Sequence, residues 1–216
     1  MKKHQSGFTL VEIAIVLVII GLLLGGVLKG QEMIENAKIK NLRNDFNGVM
    51  AGFYAYRDRY AAIPGDDPNA LARGWVGATA GNSSGTLAAA TPFGCVAASA
   101  GENCQFWRHM RHAGFIAGAI DNSNPQNAYT GALGVRQGAA GVLGAGAAAL
   151  PGILLCAGSI PGKAAAAVDS AFDDNNSQTG AVRSTDGGSN IAPGALAAVA
   201  VYQDTGADFY TICKTL

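Results

Sequence analysis

The stretch whose reading decides the fold comes first: residues 1–28 run MKKHQSGFTLVEIAIVLVIIGLLLGGVL. From Phe8 to Leu28, Glu12 is the only ionisable side chain. As a helix this run extends about 31 Å, enough to cross the hydrocarbon layer of a bilayer. Lys2 and Lys3 in front of it hold the start in the cytoplasm, so the bulk of the chain emerges on the periplasmic or extracellular side. A removable secretory signal fits poorly. The apolar run exceeds the usual h-region of roughly 7–15 residues, and Gly25-Gly26-Val27-Leu28-Lys29 offers no A-x-A cleavage site. A plain single-pass anchor explains the length and the lysines but not Glu12. A carboxylate at mid-depth costs roughly 2.5–3.5 kcal/mol and usually implies a partner. Glu12 lies one turn inside the segment, within snorkelling reach of the interface, so alone it does not decide between these readings.

Past the membrane segment, residues 29–60 keep a helical pattern, with no proline before Pro64. Ile39, Leu42, Phe46, Val49, Phe53, Tyr56 and Tyr60 recur at spacings of 3, 4, 3, 4, 3 and 4, which lines up one apolar face. The stripe is short for a coiled-coil seam and predicts packing against the chain's own C-terminal domain. Gly21, Gly25, Gly26 and Gly30 are weak points in the apolar half, each costing on the order of 1 kcal/mol relative to alanine.

Ile63-Pro64-Gly65-Asp66-Asp67-Pro68 ends the helix by turn chemistry and sets a boundary near Ala61. In the remainder, Gln105 to Gly118 predicts a short amphipathic helix ended by glycine, with Trp107, Met110 and Phe115 inward. His109 and His112 with Cys104 match no standard zinc spacing, so the histidines are expected to face solvent. Residues 131–150 form a Gly/Ala tract without an assignable element. Ile153 to Cys156, Gly180 to Arg183, Ala197 to Tyr202 and Phe209 to Cys213 predict short strands, with a short helix from Pro161 to Phe172. The expected architecture is α+β: a long N-terminal helix on a head with a small antiparallel sheet.

Overall charge is balanced, with 15 Lys/Arg against 15 Asp/Glu, but from Ala61 onward seven face ten, a balance of −3. Nonspecific duplex binding needs clustered cations, so no nucleic-acid partner is expected. With 49% hydrophobic residues, 14% charged and 30 glycines, the core should be thin for its length. Cys95, Cys104, Cys156 and Cys213 all lie beyond the membrane segment, which suits two disulfides in an oxidising compartment. Four cysteines allow three connectivities. We pair Cys95 with Cys104, closing a short loop, and Cys156 with Cys213, tying the last strand to the sheet. Asp169, Asp173, Asp174, Asn175 and Asn176 could bind calcium but lack EF-hand alternation, so a hydrophilic turn is expected, with no metal or other cofactor. No nucleophile-and-base pattern, P-loop or H-E-x-x-H is present, so no enzyme activity, catalytic residue or small-molecule substrate is expected.

Taken together, Lys2-Lys3, Gly7, Phe8-Thr9-Leu10-Val11-Glu12 and the apolar run resemble the class III signal of type IV prepilins and pseudopilins. IPGDDPNA (63–70), FWRHMRHAGFIAG (106–118) and DDNNSQTGAVRS (173–184) also resemble head-domain features of a bacterial subgroup of prepilin-type proteins. The resemblance implies a leader of residues 1–7, an assembly helix at 8–28, its amphipathic continuation at 29–60 and a head at 61–216. It implies a prepilin peptidase that cuts between Gly7 and Phe8 and methylates the new amine. It further implies pairing of the Phe8 amine with Glu12 of a neighbouring copy or related pilin. The subunit would sit in the inner membrane before assembly and in a periplasmic or extracellular filament after it. A type IV pilus, a type II secretion pseudopilus, a minor pilin with an adhesive or DNA-uptake role, and a plain membrane-anchored periplasmic protein remain alternatives at this point.

Overall fold

The computed structural model describes residues 9–88, 91–139, 141–144, 149–197 and 200–216. A single helix, α1, runs from Leu10 to Tyr60. It is followed by a short 3-10 turn (Leu71–Arg73), α2 (Glu102–His112), β1 (Leu133–Gln137), β2 (Ile153–Pro161), α3 (Gly162–Phe172), β3 (Val182–Gly187) and β4 (Phe209–Thr215). The chain divides into two compact units, one ending at Lys38 and the other spanning Ile39–Leu216. The second unit therefore begins inside α1, where the apolar stripe begins. The fold is α+β, a long N-terminal helix followed by a domain with a four-stranded antiparallel sheet.

In the second unit the stripe is the helix's buried face. Leu42, Phe46, Val49, Phe53 and Tyr56 are buried, and Ile39 and Tyr60 pack at the margin of the same core. Phe53 stacks on Phe106 of α2 with ring centroids 6.2 Å apart, and Phe46 meets Phe172 of α3 at 6.0 Å. Gly52 explains how closely α2 approaches: a Cβ there would lie 2.7 Å from the Met110 side chain and 3.2 Å from Phe115. Helix α2 starts earlier than its sequence pattern suggests, at Glu102, and stops at His112. Its stop follows the expected glycine chemistry: Gly114 takes a φ of 78°, and the Phe115 amide donates to the Met110 carbonyl at 3.0 Å.

The sheet order is β1-β2-β4-β3, all antiparallel. Strand β2 is buried on both faces, because successive side chains point to opposite sides. Ile153, Leu155, Ala157 and Ile160 join the core that contains α1, α2 and α3, whereas Leu154 and Cys156 join a second cluster with Phe93, Val142, Leu143 and Leu150. That second cluster gives the Gly/Ala tract its role. Its beginning supplies β1, paired with β2 from Leu133↔Ala157 to Gln137↔Ile153, and its few large side chains cover the other face of the sheet.

Among the described residues, one expected strand, Ala197 to Tyr202, is not formed. Ala197 and residues 200–202 are irregular, and residues 198–199 lie outside the described residues. The segment's backbone is tied locally instead: the Ala197 amide donates to Ser184, and the Ala200 carbonyl accepts from Ser177. The other three expected strands are present with shifted ends. A bulge in β2 between Ala157 and Ile160, with Ser159 at a φ of 60°, restores pairing to β4 at Ile160↔Tyr210.

Candidate functional site

At the N-terminus Gly7 and Phe8 lie outside the described residues, so the processing and amine-pairing expectations at those positions have no geometry here. Glu12 does. Its Oε2 accepts both the backbone N–H and the hydroxyl of Thr9 at 2.8 Å, and its own N–H donates to Thr9 Oγ1 at 3.3 Å. This is a reciprocal capping box, with Thr9 before the first helical residue and glutamate three positions on. The T-x-x-E spacing of this box stands in the sequence, where Glu12 was read for its membrane depth and its pairing with a neighbour rather than as a cap. The most apolar stretch of the helix has a mean hydropathy of 2.8, with none of its side chains buried. Leu17, Leu22 and Leu28 are each more than 60% exposed. Such a surface is stable only in hydrocarbon or against another apolar surface.

In the head, two of the three segments singled out in the sequence meet. Asp66, almost fully buried, accepts the backbone amides of Asn82, Ser84 and Gly85 at 3.0, 3.2 and 2.7 Å and so shapes that loop. Asp67, fully buried, accepts the Tyr56 hydroxyl at 2.6 Å and the Asn69 amide at 2.8 Å, and pairs with Arg73. Burial opposes its charge, but the hydrogen bonds from Tyr56, Asn69 and Arg73 outweigh that and hold its carboxyl below the usual range. From α2, His109 Nδ1 accepts the Gly65 N–H at 2.9 Å, which leaves Nε2 to carry the proton toward the Thr79 carbonyl at 3.1 Å.

His109 therefore does not face solvent as its spacing suggested. It is fully buried, and burial lowers its pKa to about 4, so it is held neutral. The spacing argument missed this because the ring's partners are backbone atoms far along the chain. His112 is half-buried, stacked on Trp75 with centroids 5.4 Å apart. Cys104 is bonded to Cys95, and Cys156 is bonded to Cys213 at a directly paired position of β2 and β4. The hub thus uses its polar groups internally, as scaffolding for the junction of α1, α2 and the loop at 63–85.

The third segment forms a separate acidic turn after α3. Asp169 is fully buried, and its Oδ2 accepts the Tyr202 hydroxyl at 2.7 Å. Burial, with smaller contributions from Asp174 and Asp173, raises its pKa to about 6. Asp173 accepts the amides of Ala181 and Val182, and Asp174 accepts the Asn176 amide at 3.0 Å and the Thr179 hydroxyl at 2.6 Å.

Comparison with curated proteins and with solved structures gives no match. Residues 2–28 match the family described as the prokaryotic N-terminal methylation motif. That match covers Lys2 and Lys3, the capping box and the unburied apolar helix, and with it the chain carries the signature of type IV prepilin-like proteins.

Proposed function

We propose that this chain is a structural filament subunit, a pilin or pseudopilin, cut between Gly7 and Phe8, methylated on the new amine and assembled through residues 8–28. The observation that carries this reading is the coincidence of the methylation motif at residues 2–28 with a helix whose most apolar window buries no side chain of its own. A helix of that kind needs a second environment. A bilayer supplies it before assembly, and the helices of neighbouring subunits supply it afterwards.

Glu12 fits this role electrostatically. In an apolar array its carboxylate needs an opposite charge, and the freed Phe8 amine of a neighbour is one. A head-to-tail contact of that kind does not close on itself, so it propagates into a filament. The subunit's work is then assembly and display, with no reaction to catalyse. The test has two readouts. The mature chain should begin with N-methylated Phe8 by mass spectrometry of its terminal peptide. Glu12→Ala should be processed normally but drop out of filaments. A mature product that starts beyond Leu28 or keeps Met1 overturns the processing step, and a Glu12→Ala subunit recovered in filaments at wild-type yield overturns the pairing.

A further inference from the structure

Among the described residues, four buried side-chain atoms have no hydrogen-bond partner: Trp107 Nε1, Arg111 Nε, Asp169 Oδ1 and Ser184 Oγ. Asp169 Oδ1 alone is a carboxylate oxygen. Its position follows from α3, whose Ala164, Ala165 and Val168 are buried in the main core. Asp169 shares that buried side and has no exposed surface. Tyr202 serves Oδ2, and Oδ1 has no hydrogen-bond partner of its own, which a buried carboxylate tolerates poorly.

Two further carboxylates converge on it. One oxygen from each of Asp169, Asp173 and Asp174 lies within 4.8 Å of the others. Calcium binds carboxylate oxygens at about 2.3–2.6 Å, so oxygens on opposite sides of one ion sit about 4.6–5.2 Å apart. Asp173 and Asp174 are held in place by the turn's own amides and by the Thr179 hydroxyl, and each carboxylate keeps lone pairs beyond those bonds. Among the described residues none of the three has a Lys or Arg ion-pair partner. Gly180, at a φ of 74°, stands where a side chain would collide with Asp173. The C-terminal end of α3, the negative pole of the helix, also faces this turn.

We propose that Asp169, Asp173 and Asp174 form a calcium site at the C-terminal end of α3, with Asp169 as its buried ligand. The sequence pattern hid this because the spacing is not that of an EF-hand. The motivating fact is burial of one acid under Tyr202, which spacing does not report. The site belongs to the head alone and stands whether or not the chain assembles into filaments. Bound calcium would link the end of α3 to the start of β3 and to the segment that carries Tyr202.

The experiment uses the full chain in detergent micelles after chelator treatment. Terbium should luminesce on tyrosine excitation, because the Tyr202 hydroxyl lies 2.7 Å from the proposed ligand. Calcium should displace terbium with a midpoint of about 0.1–1 mM, the range of extracellular calcium modules. At about 10 mM calcium the Tm should rise by several degrees. Asp174→Asn, at an exposed position that the core does not need, should weaken calcium binding about tenfold, and Asp169→Asn should abolish it. Terbium emission that calcium does not displace, a Tm indifferent to calcium and chelator, or an Asp174→Asn response equal to wild type would each overturn the proposal. An equal response to magnesium would overturn the assignment to calcium.

Discussion

Helix α1 is one continuous element made for two surroundings. Between Leu10 and Leu28 its large side chains are 46–91% exposed, whereas Leu42, Phe46, Val49, Phe53 and Tyr56 are at most 6% exposed. The two halves use different patterns to reach the same secondary structure. The second half carries a stripe at alternating spacings of three and four, which suits a helix with a core on one side only. The first half is apolar all round, which suits a helix surrounded by apolar material on every side. Helical hydrogen bonds are satisfied within either half, so what differs is where the burial energy comes from. The head supplies it for the second half, and an external partner must supply it for the first.

The comparison is broken most directly by paired truncations measured on the detergent-held chain. Phe53→Ala should cost about 3–5 kcal/mol in the head's unfolding, because it empties a site stacked against Phe106. Leu17→Ala should stay within about 0.5 kcal/mol in the same assay, since Leu17 is 64% exposed. Equal costs would mean that the first half is buried by the chain itself. Replacing Cys156 and Cys213 together by serine should cost about 2–4 kcal/mol and leave α1 helical by circular dichroism. A loss of helix in the N-terminal segment would show that the halves are not energetically separate.

A smaller effect should depend on pH. The fold holds His109 neutral, with its pKa lowered from 6.5 to about 4. The unfolded chain therefore takes up this proton first as pH falls. The contribution is complete above about pH 6.5 and is lost on acidification toward pH 4, to a total on the order of 2–3 kcal/mol. Among neighbouring charges Asp67 favours the protonated ring, while His112 and Arg73 oppose it. Asp169, whose pKa is raised, acts with the opposite sign in part of the same window and reduces the net slope. His109→Gln should flatten the dependence of Tm on pH between 6.5 and 4, and an unchanged slope would remove His109 as its source. The smallest effect belongs to the first half: Thr9→Val should fray the helix start by about 1 kcal/mol, seen as faster amide exchange at Leu10 to Ile13, without moving the head's Tm.

Legibility followed the same division. The apolar run and the stripe were readable because periodicity directly reports which side of a helix is buried, and the family signature sits in the most distinctive part of the chain. Two strands were visible as short runs rich in large apolar residues, Ile153 to Cys156 and Phe209 to Cys213, and a third, Gly180 to Arg183, by the turn residues around it. The fourth, Leu133 to Gln137, was not, because it opens a tract of glycine and alanine in which alternation carries little contrast. Ala197 to Tyr202 resembled a strand because its valines alternate with alanines ahead of Tyr202, but its described backbone is tied to Ser177 and Ser184 instead. His109 and Asp169 were misjudged for a common reason. Both owe their character to burial beneath segments distant in sequence, Gly65 and Thr79 for one and Tyr202 for the other, and local spacing does not encode that.

The strand order has a consequence for the route by which the head forms. Residues 209–215 supply β4, which lies between β2 and β3 and pairs with both. A nascent chain that has not yet delivered those residues can make only the β1–β2 hairpin, with β3 left without a neighbour and Cys156 without its thiol partner. The sheet therefore closes only after synthesis has passed residue 215. Until then one edge of β2 stays unpaired, and oxidation of Cys156 with Cys213 marks a head that has finished.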